Sequence, residues 1–180
     1  MAKAPEISLV HMVNQIPVTI RTMSPNDRAE EQRFVSSLSP RSSYLRFHGA
    51  MRELPPALLE RFVNVNYPEE MALVATVPFG EGQRQIGVAR FARLRESNAA
   101  EMAVVVADEW QGKGIGSQLM IALRDCAAEA GISKVYASVL TENRRMLKLC
   151  QHLGFATEPR KDDYRTVELG KEIPGKKDPK

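Results

Sequence analysis

The run Gln111-Gly112-Lys113-Gly114-Ile115-Gly116-Ser117 holds the residue types best suited to bind a charged small molecule. Alternate glycines let main-chain N–H groups turn outward, and the apolar spacing that follows (Ile115, Leu119, Ala122, Leu123, Cys126) starts a helix at the same place. Free amides at the positive end of a helix dipole make a site for phosphate or pyrophosphate oxygens. Spacing excludes two nucleotide loops. The run lacks the GxxxxGK[ST] order of a P-loop, and its GxGxG is one residue short of the GxGxxG dinucleotide fingerprint.

Other reactive side chains are sparse. Glu101 and the pair Glu69 and Glu70 open strand-like runs. His11, His48 and His152 form no spaced metal pair, and neither HExxH nor GxSxG occurs, so neither a metal nor a serine nucleophile is expected. Cys126 and Cys150 sit in apolar helical patterns without CxxC spacing and read as buried, reduced thiols.

The elements that must carry these residues alternate. Residues 17–23 read as a strand, followed by a helix capped at Ser24 with Pro25 at its first position. A second helix starts at Pro55 or Pro56, after a segment around Arg41, Arg46 and Arg52 that shows no clear period. EMALVATV, QIGVARFARL and EMAVVVAD are three strands, the first two joined by a turn and expected to form an antiparallel meander. The glycine loop, a helix ending at Gly131 and the strand KVYASVL make a parallel unit. A helix capped at Thr141 and ending at Gly154, then two strands, complete the expected α/β architecture: a twisted mixed sheet of six to seven strands with about four helices.

Length and composition bound the rest. A chain of 180 residues with 43% hydrophobic content is expected to form one domain, over 15–173, with a flexible segment over 1–14 and a basic tail over 174–180. The 25 basic residues exceed the 22 acidic ones by little, and Lys171, Lys176, Lys177 and Lys180 hold much of that excess. No nucleic-acid partner is therefore expected. No apolar run reaches the ~20 residues of a spanning helix, so no membrane is expected and the cytoplasm is the expected location. The sequence leaves monomer and homodimer open.

VVVADEWQGKGIGSQLM (Val104–Met120) resembles motif A of the GNAT superfamily of acyl-CoA N-acyltransferases, with Gln111, Gly114 and Gly116 at the signature positions. NRRMLKLCQHLGF (Asn143–Phe155) resembles its motif B. LSPRSSYLRFHGAM, EEMALVA and AEMAVVVADEWQGKGIG are similar to the acetyltransferase domain of Pat-type bacterial protein lysine acetyltransferases, which often carry an additional large domain for which this chain has no room. The resemblance implies a GNAT-like fold whose central parallel strands splay apart, acetyl-CoA as co-substrate, and direct transfer to a primary amine, first of all a protein lysine. A small-molecule amine acceptor and a non-catalytic acyl-CoA sensor are the alternatives.

Residue by residue, the resemblance implies that the backbone of Val104 and Val106 holds the pantetheine arm and that amides from Gln111 through Gly112, Lys113, Gly114, Ile115, Gly116 and Ser117 hold the pyrophosphate. It implies that Asn143 touches the cofactor and that Glu101 is the general base, with Glu70 the second candidate. An amide of Val105 or Val106 would face the thioester carbonyl. The family's usual motif B tyrosine is here Cys150, so the thiolate leaves unassisted or Tyr136 or Tyr164 protonates it.

Overall fold

The computed structural model describes residues 3–95, 97–159 and 164–174. Eight strands form one sheet: β1 (Ser8–Val13), β2 (Ile16–Thr22), β3 (Glu70–Phe79), β4 (Gly82–Arg93), β5 (Ala99–Val106), β6 (Lys134–Leu140), β7 (Ala156–Thr157) and β8 (Thr166–Glu172), in the order β1-β2-β3-β4-β5-β6-β8-β7. Among the described residues only β5 and β6 pair in parallel. Five helices flank it: α1 (Arg28–Ser37), α2 (Pro40–Phe47), α3 (Pro56–Val63), α4 (Ile115–Glu129) and α5 (Arg144–His152). The mixed α/β, GNAT-like architecture expected from the sequence is present, with a strand and a helix more than anticipated.

The additional strand, β1, lies in the stretch expected to be a loose end, and pairs antiparallel with β2 from Ser8↔Arg21 to Val13↔Ile16. Its apolar residues do not alternate in and out: Leu9, Val10 and Met12 are all exposed, so no period marked it. The additional helix, α2, lies in the region without a clear period. Its buried residues are Ser42 and Ser43, the reverse of the usual apolar stripe. Residues 175–180 of the expected basic tail lie outside the described residues.

The core fills both faces of the sheet. On one face α4 buries Ile115, Leu119, Met120, Leu123 and Cys126 against β3, β4 and β5. On the other, α1 and α3 contribute Phe34, Val35, Leu59 and Val63. Beneath α1 the buried Glu31 accepts from Arg90 Nη2 at 3.1 Å and from Gln85 Nε2 at 2.5 Å, so this core carboxylate is neutralised in place.

Strand pairing sets up the site. β5 pairs with β6 only from Ala99 to Glu101, against Lys134 to Tyr136, whereas β4 follows β5 to Val106 and β8 follows β6 to Leu140. The two parallel strands part after Glu101. A wedge opens there in the middle of the sheet.

Candidate active site

Backbone parity decides which groups face that wedge. At the two ends of β5, Leu94 N–H donates to Ala99 O and Ala107 N–H donates to Ile86 O, both at 2.8 Å, so the odd-numbered residues of β5 turn their backbone groups toward β4. Met102, Val104 and Val106 therefore present theirs to the wedge. The amide of Val105, one of the two expected to meet a thioester carbonyl, faces β4 instead. Val106 O already accepts from Gln111 Nε2 at 3.0 Å.

The loop after β5 is built by its glycines. Gly112 and Gly114 adopt φ of +74° and +84°, and a Cβ built on either would meet nothing within 4 Å, so left-handed backbone and not crowding is what calls for glycine at both. Gly114 caps α4, and Gln118 N–H donates back to its carbonyl at 3.1 Å. The amides from Gly112 to Ser117 have no hydrogen-bond acceptor among the described residues. Orphan donors at the first turn of a 15-residue helix suit a pyrophosphate.

Gln111 ties the loop to its surroundings. Its Nε2 also donates to Ser42 Oγ at 3.1 Å, and its Oε1 accepts from Arg145 Nη1 at 2.7 Å. Asp108 accepts from Ser39 N, Ser39 Oγ and Ser42 Oγ at 3.0, 2.7 and 2.7 Å. Burial pushes the Asp108 carboxyl up, but these donors hold it below the usual carboxylate range. Together these bonds fix the start of α2 on the loop. Ser42 and Ser43 are buried because their hydroxyls have acceptors there, Asp108 for Ser42 and the Met51 carbonyl for Ser43, which hydropathy does not register.

Three connected cavities follow the wedge. A cleft of about 530 Å³ is lined by Val104, Val105, Val106, Gln111, Gly112, Gly114, Gly116, Ser117 and Asn143, with Ser42, Arg46, Arg145, Lys148 and His152 added from α2 and α5. At its inner end a cavity of about 260 Å³ runs from Glu101 to Val104 and across to Ser138, Val139 and Asn143. Beyond Glu101 a third, of about 240 Å³, is walled by Arg46, Arg61, Phe62, Glu70, Arg90 and Ala92. Glu70 and Glu101 stand opposite Ala92 on its two neighbouring strands, so their Cα atoms lie roughly 10 Å apart with a methyl between them.

The candidates read from the sequence thus divide. Lys113 and Ile115 are absent from the cleft's lining. Lys113 Nζ donates to Glu109 O at 2.7 Å and stands 4.8 Å from the Trp110 ring, while the Ile115 side chain is in the core. Asn143, not Thr141, caps α5, its side chain accepting from Met146 N–H at 3.2 Å. Cys150 is fully buried and burial pushes its thiol up to about 11, which removes it as a proton donor to the cleft. Tyr136 and Tyr164 line none of the three cavities, and Tyr164 is wholly exposed. Sequence reasoning missed Ser42, Arg46, Arg145, Lys148 and His152. Arg145, Lys148 and His152 follow each other at helical spacing, a basic stripe that was there to be found.

Glu70 is engaged: Arg61 Nε donates to its Oε1 at 3.0 Å. The Glu101 carboxylate is exposed and has no hydrogen-bond or ion-pair partner among the described residues. The site therefore couples an amide-lined anion cradle, an open strand edge and one uncommitted carboxylate where the strands part. No helix is long and apolar enough to cross a membrane among the described residues.

The comparisons agree with that geometry. Acetyltransferase PA5475 from Pseudomonas aeruginosa is 37% identical over 150 residues, covering 83% of this chain and 81% of the relative. Acetyltransferase Pat from Mycolicibacterium smegmatis is 34% identical over 155 residues, 81% of this chain but only 46% of the relative, so the chain spans about half the length of that protein. The crystal structure of the GNAT domain of S. lividans PAT superposes with a TM-score of 0.83 at 23% identity, covering 92% of this chain and 97% of that one. Residues 34–155, which include the whole wedge, glycine loop and α5, match the acetyltransferase (GNAT) family, and the chain belongs to that family.

Proposed function

We propose that the protein acetylates a lysine amine of a protein substrate, with Glu101 as general base. The observation that carries this reading is the position of Glu101, whose unpartnered carboxylate lines both the inner end of the cofactor cleft and the cavity beyond it. An amine entering by that cavity would meet the base and the reacting carbon together. Similarity to Pat-type enzymes in the segments quoted above, and to relatives named Pat, supports the lysine acceptor.

GNAT acetyltransferases use acetyl-CoA, and the residues of this chain fit it. The orphan amides from Gly112 to Ser117 would hold the pyrophosphate, and Arg145 and Lys148 lie at the same cleft to add charge. The wedge-facing groups of Val104 and Val106 would pair with the pantetheine amides as a neighbouring strand does. Bound acetyl-CoA supplies a thioester whose C–S bond breaks as the amide C–N bond forms.

The chain must then solve a proton problem. A free lysine amine, with pKa near ~10.4, is neutral in only about one part in 10³ at pH 7, and only the neutral form attacks. Glu101 accepts that proton, directly or through water, an effect worth roughly 10²–10⁴ in rate. The inner edge amide, Val104 N–H, would donate to the carbonyl oxygen as it gains charge, leaving the Val104 carbonyl to the pantetheine. No side chain is assigned as general acid: a thiol with pKa near ~8.5 leaves as thiolate without one.

The test is CoA thiol release from acetyl-CoA with lysine peptides, protein lysate and a panel of small amines. Lysine peptides or proteins should be the best acceptors. Turnover confined to small amines would reassign the acceptor, and no turnover with intact binding would make the protein a sensor.

A further inference from the structure

We propose that Arg46 selects acceptors that carry a carboxylate close to the reacting amine. The inference rests on the transfer reading above and names the acceptor class of that site. Arg46 projects from the last turn of α2 and lines all three cavities, so it stands where cofactor cleft and acceptor cavity meet.

The other charges of the acceptor cavity are already matched. Arg61 is paired with Glu70. Arg90 donates to Glu31 at 3.1 Å and to Phe62 O at 2.8 Å, and lies 3.9 Å from the Phe62 ring centroid. Two groups are left over: Glu101 and Arg46. Apart from the Phe47 ring, 5.1 Å from its guanidinium carbon, Arg46 has no hydrogen-bond or ion-pair partner among the described residues, and it makes no ion pair with Glu101.

This half-buried cation, beside a second one, has no carboxylate within ion-pair distance among the described residues. Burial and the neighbouring Arg90 pull Arg46 down to about 10, against the opposing pull of Glu31 and Glu101, and it remains a cation at neutral pH. A free carboxylate and a free guanidinium facing one cavity are the complement of a substrate with an amine and a carboxylate. The guanidinium fork takes a carboxylate through two parallel hydrogen bonds, and the amine is then left to Glu101. The carboxylate can come from an acidic residue beside a target lysine or from the α-carboxyl of a free amino acid.

The experiment measures kcat/KM by CoA release for three peptides that differ only in the residue beside the lysine (Glu, Gln or Lys), and for alanine against alaninamide. Wild type is compared with Arg46→Gln and Arg46→Glu, using acetyl-CoA and succinyl-CoA. Wild type should prefer the Glu peptide over the Gln peptide roughly tenfold, the size expected for one charge-assisted contact. Arg46→Gln should erase that preference and Arg46→Glu reverse it toward the Lys peptide, a reversal that misfolding does not produce. If the preference appears only between alanine and alaninamide and again follows Arg46, the α-carboxyl is the source. One rank order in all three proteins overturns the proposal, as does dependence on Arg46 only in the choice between succinyl-CoA and acetyl-CoA. No release by wild type with any acceptor overturns the transfer reading as well.

Discussion

Asp108 shows how a single side chain positions the cleft. It binds both ends of the Ser39–Ser42 turn, and through Ser42 it reaches Gln111, whose other bonds run to Val106 and Arg145. Asp108→Asn removes the charge from three of these bonds and should cost about 1 kcal/mol at pH 7, read by urea unfolding. Because the folded carboxyl titrates below its ordinary value, this stabilisation is present above the unfolded pKa of ~3.9 and is lost as pH falls through the folded one. Wild type and variant should therefore differ fully at pH 7 and converge below about pH 4; a gap independent of pH would mean that charge is not what holds α2. At this scale the sequence was partly legible. Glu101, Gln111 and Asn143, singled out through the family resemblance, line the cleft or its inner cavity, whereas Ser42 and Arg46 carried no such signal, because they sit on a helix whose buried face is polar.

The glycine loop and α4 form an element whose chemistry and geometry come from the same residues. Gly114 at φ +84° opens the helix and leaves its first amides bare, and the sequence signalled this because only glycine takes that conformation without strain. Gly114→Glu puts charge and bulk into the open space and forces a side chain into left-handed backbone. Acetyl-CoA Kd by calorimetric titration should rise roughly three- to thirtyfold, the loss of two amide contacts of about 0.3–1 kcal/mol each, while strain costs about 1–2 kcal/mol in stability. Unchanged affinity would remove the pyrophosphate from this loop. β1 and α2, by contrast, lacked a readable pattern. The first is an edge strand with one neighbour and exposed apolar residues, and the second buries two serines on hydrogen bonds, Ser42 to Asp108 and Ser43 to the Met51 carbonyl.

Across the whole molecule, function follows from an incomplete pairing. Among the described residues six of the seven strand contacts are antiparallel; the single parallel one holds for three residue pairs and then opens. Each partner strand stays fastened on its outer side, β5 to β4 and β6 to β8, so the wedge is framed by paired strands and its inner edge is left unpaired. The alternation of strand and helix signals made the mixed sheet and its parallel unit legible, but the extent of pairing is a tertiary property that no local period encodes. The same splay places Glu101 at the last paired position, where it lines both the inner cavity and the one beyond it. The most direct measurement is CoA release from acetyl-CoA with the best acceptor, wild type beside Glu101→Gln, with acetyl-CoA affinity titrated on both. The expected result is a fall of roughly 10²–10⁴ in turnover, affinity held within a few-fold, and a residual rate that climbs with pH as the amine loses its proton unaided. Equal turnover by the two proteins would contradict the role given to Glu101.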